Sequence, residues 1–286
     1  MGGGPGLLDR QRVRSRARQE NFPVASRLLP LEVRSHLYAV YGFARLVDDT
    51  GDQAPGDRLR LLDRIESELD LAVEGRATDP IMRTVGATIR ELALPLEPFR
   101  RLIEANRRDQ AVSRYETFDD LLAYCELSAN PVGHLVLLVF CADTPRRRTW
   151  SDAVCTGLQL TEHWQDVAED AGRGRVYLPQ EDLRRFGCSE EDLTARRPTP
   201  AFRRLMAFEV ERARELLGRG LPLASDLGGR AGFAVASFVA GGRAALTAIE
   251  RASYDVLTRS PRPSRAMQAG ALVAALAESR RGRRAA

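Results

Sequence analysis

The stretch PLEVRSHLYAVYGFARLVDDTGD, residues 30–52, decides how this chain reads. Pro30 opens it, and Val33, Leu37, Val40, Tyr41, Ala44 and Val47 recur at steps of three and four, the period of a helix with one buried face. It closes on Asp48-Asp49-Thr50-Gly51-Asp52, where Gly51 with Gln53-Ala54-Pro55-Gly56 is expected to break the helix. Asp48 and Asp52 stand at i and i+4, so their carboxylates share one helix face, and like charges held that close cost the helix a few tenths of a kcal/mol. The same spacing returns in Asp166-Val167-Ala168-Glu169-Asp170. Two such clusters imply a positive charge between them. Ionised carboxylates are hard oxygen ligands suited to magnesium, which takes few protein carboxylates and completes its octahedron with water and phosphate. Two clusters facing each other would hold a metal-bound diphosphate.

The rest of the chain narrows the class. Of 286 residues, 44% are hydrophobic and 29% charged, the balance of a globular protein with ample mass for a core. All 43 basic residues are arginine, against 39 acidic ones, and a net charge of +4 speaks against a nucleic-acid footprint. The excess gathers in Arg10 to Arg18 and in Arg280-Arg281-Gly282-Arg283-Arg284. These read as solvated flexible tails, with attraction to an anionic membrane surface as the rival reading. Cys125, Cys141, Cys155 and Cys188 lack metal-site spacing, and no signal peptide opens the chain, so reduced thiols in the cytoplasm are expected. No uninterrupted apolar run approaches the roughly 18 residues needed to span a bilayer. The longest, Leu135 to Cys141, reads as buried helix.

Helical periodicity dominates and strand alternation is nearly absent. Further helices are expected at about 57–73, 79–91, 95–110, 117–141, 146–171, 198–221, 227–257 and 264–280. Thr117 and Asp120 offer a capping box. Gly172-Arg173-Gly174-Arg175-Val176-Tyr177-Leu178-Pro179 begins a loop-rich stretch that reads equally as a lid over a charged ligand or as plain surface. With no repeat and no linker, the expected architecture is a single-domain all-α helical bundle with a central apolar cavity.

Gln159, Glu162, Asp166 and Asp170 form one polar stripe at steps of three and four, and Arg45, Asp48 and Asp52 repeat the arrangement. Either stripe could simply face solvent. Arg45 could pair with Asp48 one turn away or reach a phosphate with its fork. Tyr124 stands above Ser128, Ala129, Val132 and Gly133, small residues that leave room for a bulky ligand or let helices pack closely. Phe22, Tyr41 and Tyr124 would suit either core or an aromatic wall. His36, His134 and His163 are too scattered for a metal box, and no nucleotide-binding or nucleophile-elbow motif is present.

These segments resemble the squalene and phytoene synthases, trans-isoprenyl diphosphate synthases that join two chains head to head. The resemblance covers roughly 20–260. It rests on Asn21-Phe22-Pro23 with Leu28-Leu29-Pro30, on Tyr41-Gly42-Phe43-Ala44-Arg45 leading into the first acidic cluster, and on Tyr124-Cys125-Glu126-Leu127-Ser128-Ala129 with Val132-Gly133. The fourth segment runs from Leu158-Gln159-Leu160 through the second cluster to Gly174-Arg175-Val176-Tyr177-Leu178-Pro179. Glu20-Asn21-Phe22-Pro23-Val24 and His163-Trp164-Gln165-Asp166-Val167 are most similar to the hydroxysqualene-forming branch. The resemblance implies an isoprenoid-synthase fold, magnesium (two or three ions) without NADPH, and conversion of presqualene diphosphate and water to hydroxysqualene. The alternative is condensation of two farnesyl or geranylgeranyl diphosphates to presqualene diphosphate, squalene or phytoene. A further rival is an assembly or chaperone-like relative without catalysis.

The implied roles are specific. Asp48, Asp49, Asp52, Asp166 and Asp170 would hold magnesium. Asn21, Phe22, Arg45, Gln159, Arg175 and Tyr254 would bind substrate, and Tyr41, Arg45, Tyr124, Glu162 and Gln165 would act in catalysis. The family commonly has asparagine where this chain has Glu162 and arginine where it has Gln165, which adds a negative charge at one position and removes a positive one at the other. Implied partners are an isoprenoid diphosphate and an upstream presqualene diphosphate synthase, with peripheral contact at the inner face of the membrane and no nucleic acid.

Overall fold

The computed structural model describes residues 29–285. Asn21, Phe22 and the basic run from Arg10 to Arg18 lie outside them. In chain order the helices are α1 Leu31–Gln53, α2 Arg58–Val73, α3 Pro80–Leu92, α4 Glu97–Arg108, α5 Phe118–Ser128, α6 Asn130–Val139 and α7 Pro145–Gln165. They continue as α8 Val167–Gly172, α9 Gln180–Phe186, α10 Glu190–Thr194, α11 Pro200–Gly220, α12 Pro222–Leu227, α13 Gly229–Arg251 and α14 Arg265–Ala285. Among the described residues the only strand-like feature is an isolated bridge between Arg114 and Val176. The fold is all-α, as the periodicity predicts.

Caps explain the boundaries. Asp57 accepts from the Arg60 amide, Asp79 from those of Ile81 and Met82 ahead of Pro80, and Thr199 from that of Phe202 ahead of Pro200. The Thr117–Asp120 box forms, with Asp120 N donating to Thr117 Oγ1 at 3.1 Å and Thr117 N to Asp120 Oδ2 at 3.0 Å.

The contacts gather in two compact units, one of residues 1–111 with 127–148, the other of 112–126 with 149–286. In the first, α1 packs against α2, α3, α4 and α6. Phe43 and Phe99 meet edge to face, centroids 5.0 Å apart, beside fully buried Leu62, Leu69, Ile103 and Leu135. Gly86 of α3 lies so close to the Ala72 backbone that no side chain fits there. In the second unit, α13 packs against α11, α12 and α14. Trp164 is buried among these layers and its indole N–H donates to the Glu209 carbonyl at 3.1 Å.

Two expectations change. The helix expected at 117–141 breaks at Ala129, and the one at 146–171 breaks at Asp166. α1 ends at Gln53, with Ala54 as its cap, inside the segment expected to break it, and Gly51 is still helical. Residues 265–285 form α14, in which Ala275 is 0% exposed and Glu278 pairs with Arg243 at 2.7 Å, while Arg280 and Arg281 are exposed, as a solvated run would be. The stretch after Gly172 is not plain surface, because Val176 to Pro179 are buried and Val176 N donates to Ser113 O at 2.9 Å.

Two helical stretches, Phe118–Val139 and Gly229–Arg251, are long and apolar enough by composition to cross a membrane, although uninterrupted runs are short. Their apolar windows are 56% and 78% buried against protein, and the first is two helices.

Candidate functional site

The first acidic cluster occupies the last turns of α1, where it opposes the helix dipole. The negative end of the dipole lies there, yet no basic residue stands in that last turn. Arg45 pairs with Asp49 at 3.4 Å, so its local partner is Asp49 where Asp48 was the expected one. Burial dominates Asp48 and pushes its carboxyl up to about 6, against the pull of Arg45 and of the Asn106 amide, with Asp52 and Asp49 pushing further up. Asp52 is exposed. Tyr41, one turn before Arg45, packs half-buried on the first unit's core.

Two residues that the sequence reading missed complete this end of the helix. Asn106, on α4, donates from Nδ2 to Asp48 Oδ1 at 3.2 Å. Gln110 donates from Nε2 to the Gly51 carbonyl at 3.0 Å. The signal was present: two amides four residues apart, the first directly after apolar Ile103 and Ala105 on a helix otherwise studded with arginine.

The second cluster straddles the helix break. Asp166 has φ −106° and ψ 14°, but the backbone bonds Asp166 N to Glu162 O (3.0 Å) and Asp170 N to Asp166 O (2.8 Å) persist. Burial pushes Asp170 up to about 7, with the Asp166 charge next in weight, and Arg173 and Arg175 counter only in part. Asp166 is likewise raised, by burial and then Glu169, while Arg262 and the Ser260 hydroxyl at 3.5 Å oppose this.

Asp170 and Arg175 line a small pocket together with His163, Val167, Tyr177 and Leu178. The His163 ring stacks on Tyr177 with centroids 3.7 Å apart, and Tyr124 and Tyr115 lie 5.9 and 5.8 Å from Tyr177. Gln159 Nε2 lies within hydrogen-bond distance of His163 Nε2, at 3.2 Å. Burial, then Arg175, holds His163 down at about 3, so the imidazole is neutral. Neither His163 nor Tyr177 stood among the expected site residues. The three- and four-residue stripe that marked the acids had left His163 off its face.

The remaining expected residues are held by contacts of their own. Gln165 is 4% exposed, and its amide donates to the Pro261 carbonyl at 2.6 Å, a bond that ties down the loop before α14. Tyr254 stands at φ 60° just past α13, and the charges acting on it are those of Glu250, Arg214 and Glu211. It makes none of the ring contacts described for Tyr124 and Tyr177. Glu162 is half-buried one turn before Asp166.

Among the described residues no three His, Cys, Asp or Glu side chains converge into a ready-made metal cage. Magnesium does not need one, since one or two carboxylates with waters and phosphate oxygens complete its shell. Each cluster offers hard carboxylate oxygens, a donor set that fits magnesium.

A squalene/phytoene synthase family model matches residues 15–267. The hydroxysqualene synthase of Rhodopseudomonas palustris is 37% identical over 217 residues, covering 73% of this chain and 72% of its own. The chloroplastic phytoene synthase 1 of Arabidopsis thaliana is 31% identical over 268 residues, 91% of this chain, which spans only 64% of that relative's length. The crystal structure of the squalene synthase HpnC from Alicyclobacillus acidocaldarius superposes with a TM-score of 0.79 at 44% identity, over 86% of this chain and 94% of that one. Acid-bearing helices of the isoprenoid-synthase fold and a family match across most of the length agree, and this chain belongs to the squalene/phytoene synthase family.

Proposed function

We propose that this protein works as one isoprenoid-synthase domain that converts presqualene diphosphate and water to hydroxysqualene and diphosphate. The observation that carries the reading is the placement of two acidic pairs at i and i+4, one in the last turns of α1 and one across the α7–α8 break, where burial pushes Asp48 up to about 6 and Asp170 up to about 7, a cost that a bound cation would relieve. Asp48, Asp49 and Asp52 on one segment and Asp166 and Asp170 on the other hold magnesium. When bound, the metal shields the diphosphate charge and eases its departure. Arg45 and Arg175 supply guanidinium forks to the phosphate oxygens, and Asn21, Phe22 and Gln159 bind alongside.

The carbon–oxygen bond breaks with its electron pair leaving on diphosphate. The cyclopropylcarbinyl cation rearranges, water adds, and Glu162 takes the released proton. The π faces of Tyr124, Tyr177 and Tyr41 shield the cation, a cation–π effect of about 2 kcal/mol when desolvated. Gln165 leaves the pocket one guanidinium short of the family pattern, and Tyr254 binds substrate. The His163-Trp164-Gln165-Asp166-Val167 segment and the 37% identity to a hydroxysqualene synthase support this branch. We place the enzyme in the cytoplasm, touching the inner face of the membrane, and receiving substrate from a presqualene diphosphate synthase.

A second reading has specific support: the 44% identical neighbour bears the name squalene synthase, and a phytoene synthase matches over 91% of the chain. It is condensation of two prenyl diphosphates. Incubation with presqualene, farnesyl and geranylgeranyl diphosphates in separate magnesium-containing reactions, with products read by mass spectrometry, decides between them. Hydroxysqualene from presqualene diphosphate alone supports the first; presqualene diphosphate, squalene or phytoene from the shorter substrates supports the second.

A further inference from the structure

The last turn of α1 poses a problem that its own residues do not solve. Asp48, Asp49 and Asp52 crowd the negative end of the helix, and the carbonyls there lack intrahelical donors. The answer comes from α4. Asn106, 7% exposed, sends one amide proton to Asp48 Oδ1 at 3.2 Å, and the same nitrogen lies 3.2 Å from the Leu102 carbonyl of its own helix. Leu102 thus anchors the amide in orientation. Gln110, one turn on, bonds both the Gly51 carbonyl (3.0 Å) and the Asn106 carbonyl (2.9 Å). Gly51 explains why the two helices can come so close: a methyl group built on it would overlap Asn106 Oδ1. A glycine inside a helix is unfavourable by about 0.5–1 kcal/mol relative to alanine, so at position 51 its value lies in the space it leaves.

We infer that Asn106 is a positioning residue for the diphosphate site, seated in the notch that Gly51 provides. By engaging Oδ1 it fixes the Asp48 carboxylate in one rotamer and leaves Oδ2 as the donor toward a cation. Gln110 secures the backbone turn that carries the carboxylate. The inference rests on the function proposed above, and the test separates the two.

Binding of magnesium with inorganic pyrophosphate is measured by calorimetry on the full chain, next to thermal melts of the same samples. Hydrogen-bonding partners of metal ligands are typically worth 10–100-fold in metal affinity, so Asn106→Leu is expected to weaken binding at least about tenfold. Gly51→Ala should do the same while gaining helix propensity, which keeps the test readable if Asn106→Leu folds poorly. The concentration of magnesium giving half-maximal turnover rises in both variants. In a double-mutant cycle, Asn106→Leu adds little to Asp48→Asn but adds its full loss to Asp166→Asn. Unchanged affinity in Gly51→Ala and Asn106→Leu, or an undiminished loss in the Asp48→Asn background, overturns the role of Asn106 and leaves the function standing. A wild-type chain that binds no magnesium pyrophosphate overturns both.

Discussion

Single residues here carry their function in their protonation. His163 is neutral because burial and the nearby Arg175 guanidinium both resist its proton, and its stacking on Tyr177 makes it an aromatic plate and not a base. A histidine whose pKa falls from 6.5 to about 3 on folding supports the fold fully above pH 6.5, and that support is lost as pH drops toward 3. His163→Phe should therefore remove part of the acid sensitivity in that window, seen as a smaller fall in melting temperature between pH 7 and pH 4. Asp170 works in the opposite sense. Its pKa rises from 3.8 to about 7, so its contribution favours the folded chain at low pH and is lost as pH climbs to about 7. Asp170→Asn, which cannot ionise, should leave the melting temperature near wild type at pH 4 and raise it at pH 8 in metal-free buffer. A difference that does not change with pH would count against this burial argument.

At the scale of elements, close approach of helices is bought with glycine. Gly86 lets α3 touch the Ala72 carbonyl of α2, and since backbone cannot swing aside as a side chain can, Gly86→Ala should destabilise by about 1–3 kcal/mol in denaturant titrations. The same reasoning shows what the sequence could tell. Apolar periodicity and the Thr117–Asp120 capping box placed nearly every long helix within a few residues. The break at Asp166 escaped, because its i+4 backbone bonds persist through it and apolar spacing barely registers a single irregular residue. Gly51 read only as part of a breaking segment because composition does not show a packing notch; Asn106, 55 positions away along the chain, reveals it. The acidic pairs were legible because each sits within one local spacing. Their supporting amides and the stacked His163 and Tyr177 were not, since contacts between distant segments leave no period to read. The bond from the Gln165 amide to the Pro261 carbonyl was equally illegible, for the same reason.

The molecule as a whole should report its ligand through stability. If magnesium pyrophosphate binds the folded chain only, a concentration of 100 times Kd contributes about 2.7 kcal/mol. For a chain of this size that corresponds to a rise of about 5 °C or more in Tm, reversed by EDTA. Pyrophosphate without magnesium should do far less, since anions alone meet carboxylates of like charge. One last property follows from the ion pairs that lace each unit, such as Arg107 with Asp63 and Glu66, Arg212 with Asp182, and Arg243 with Glu278. In every one the cation is a guanidinium, which stays protonated beyond about pH 12. Alkaline solutions that discharge ammonium groups would leave this lattice intact, so base-induced unfolding must start from phenols and thiols.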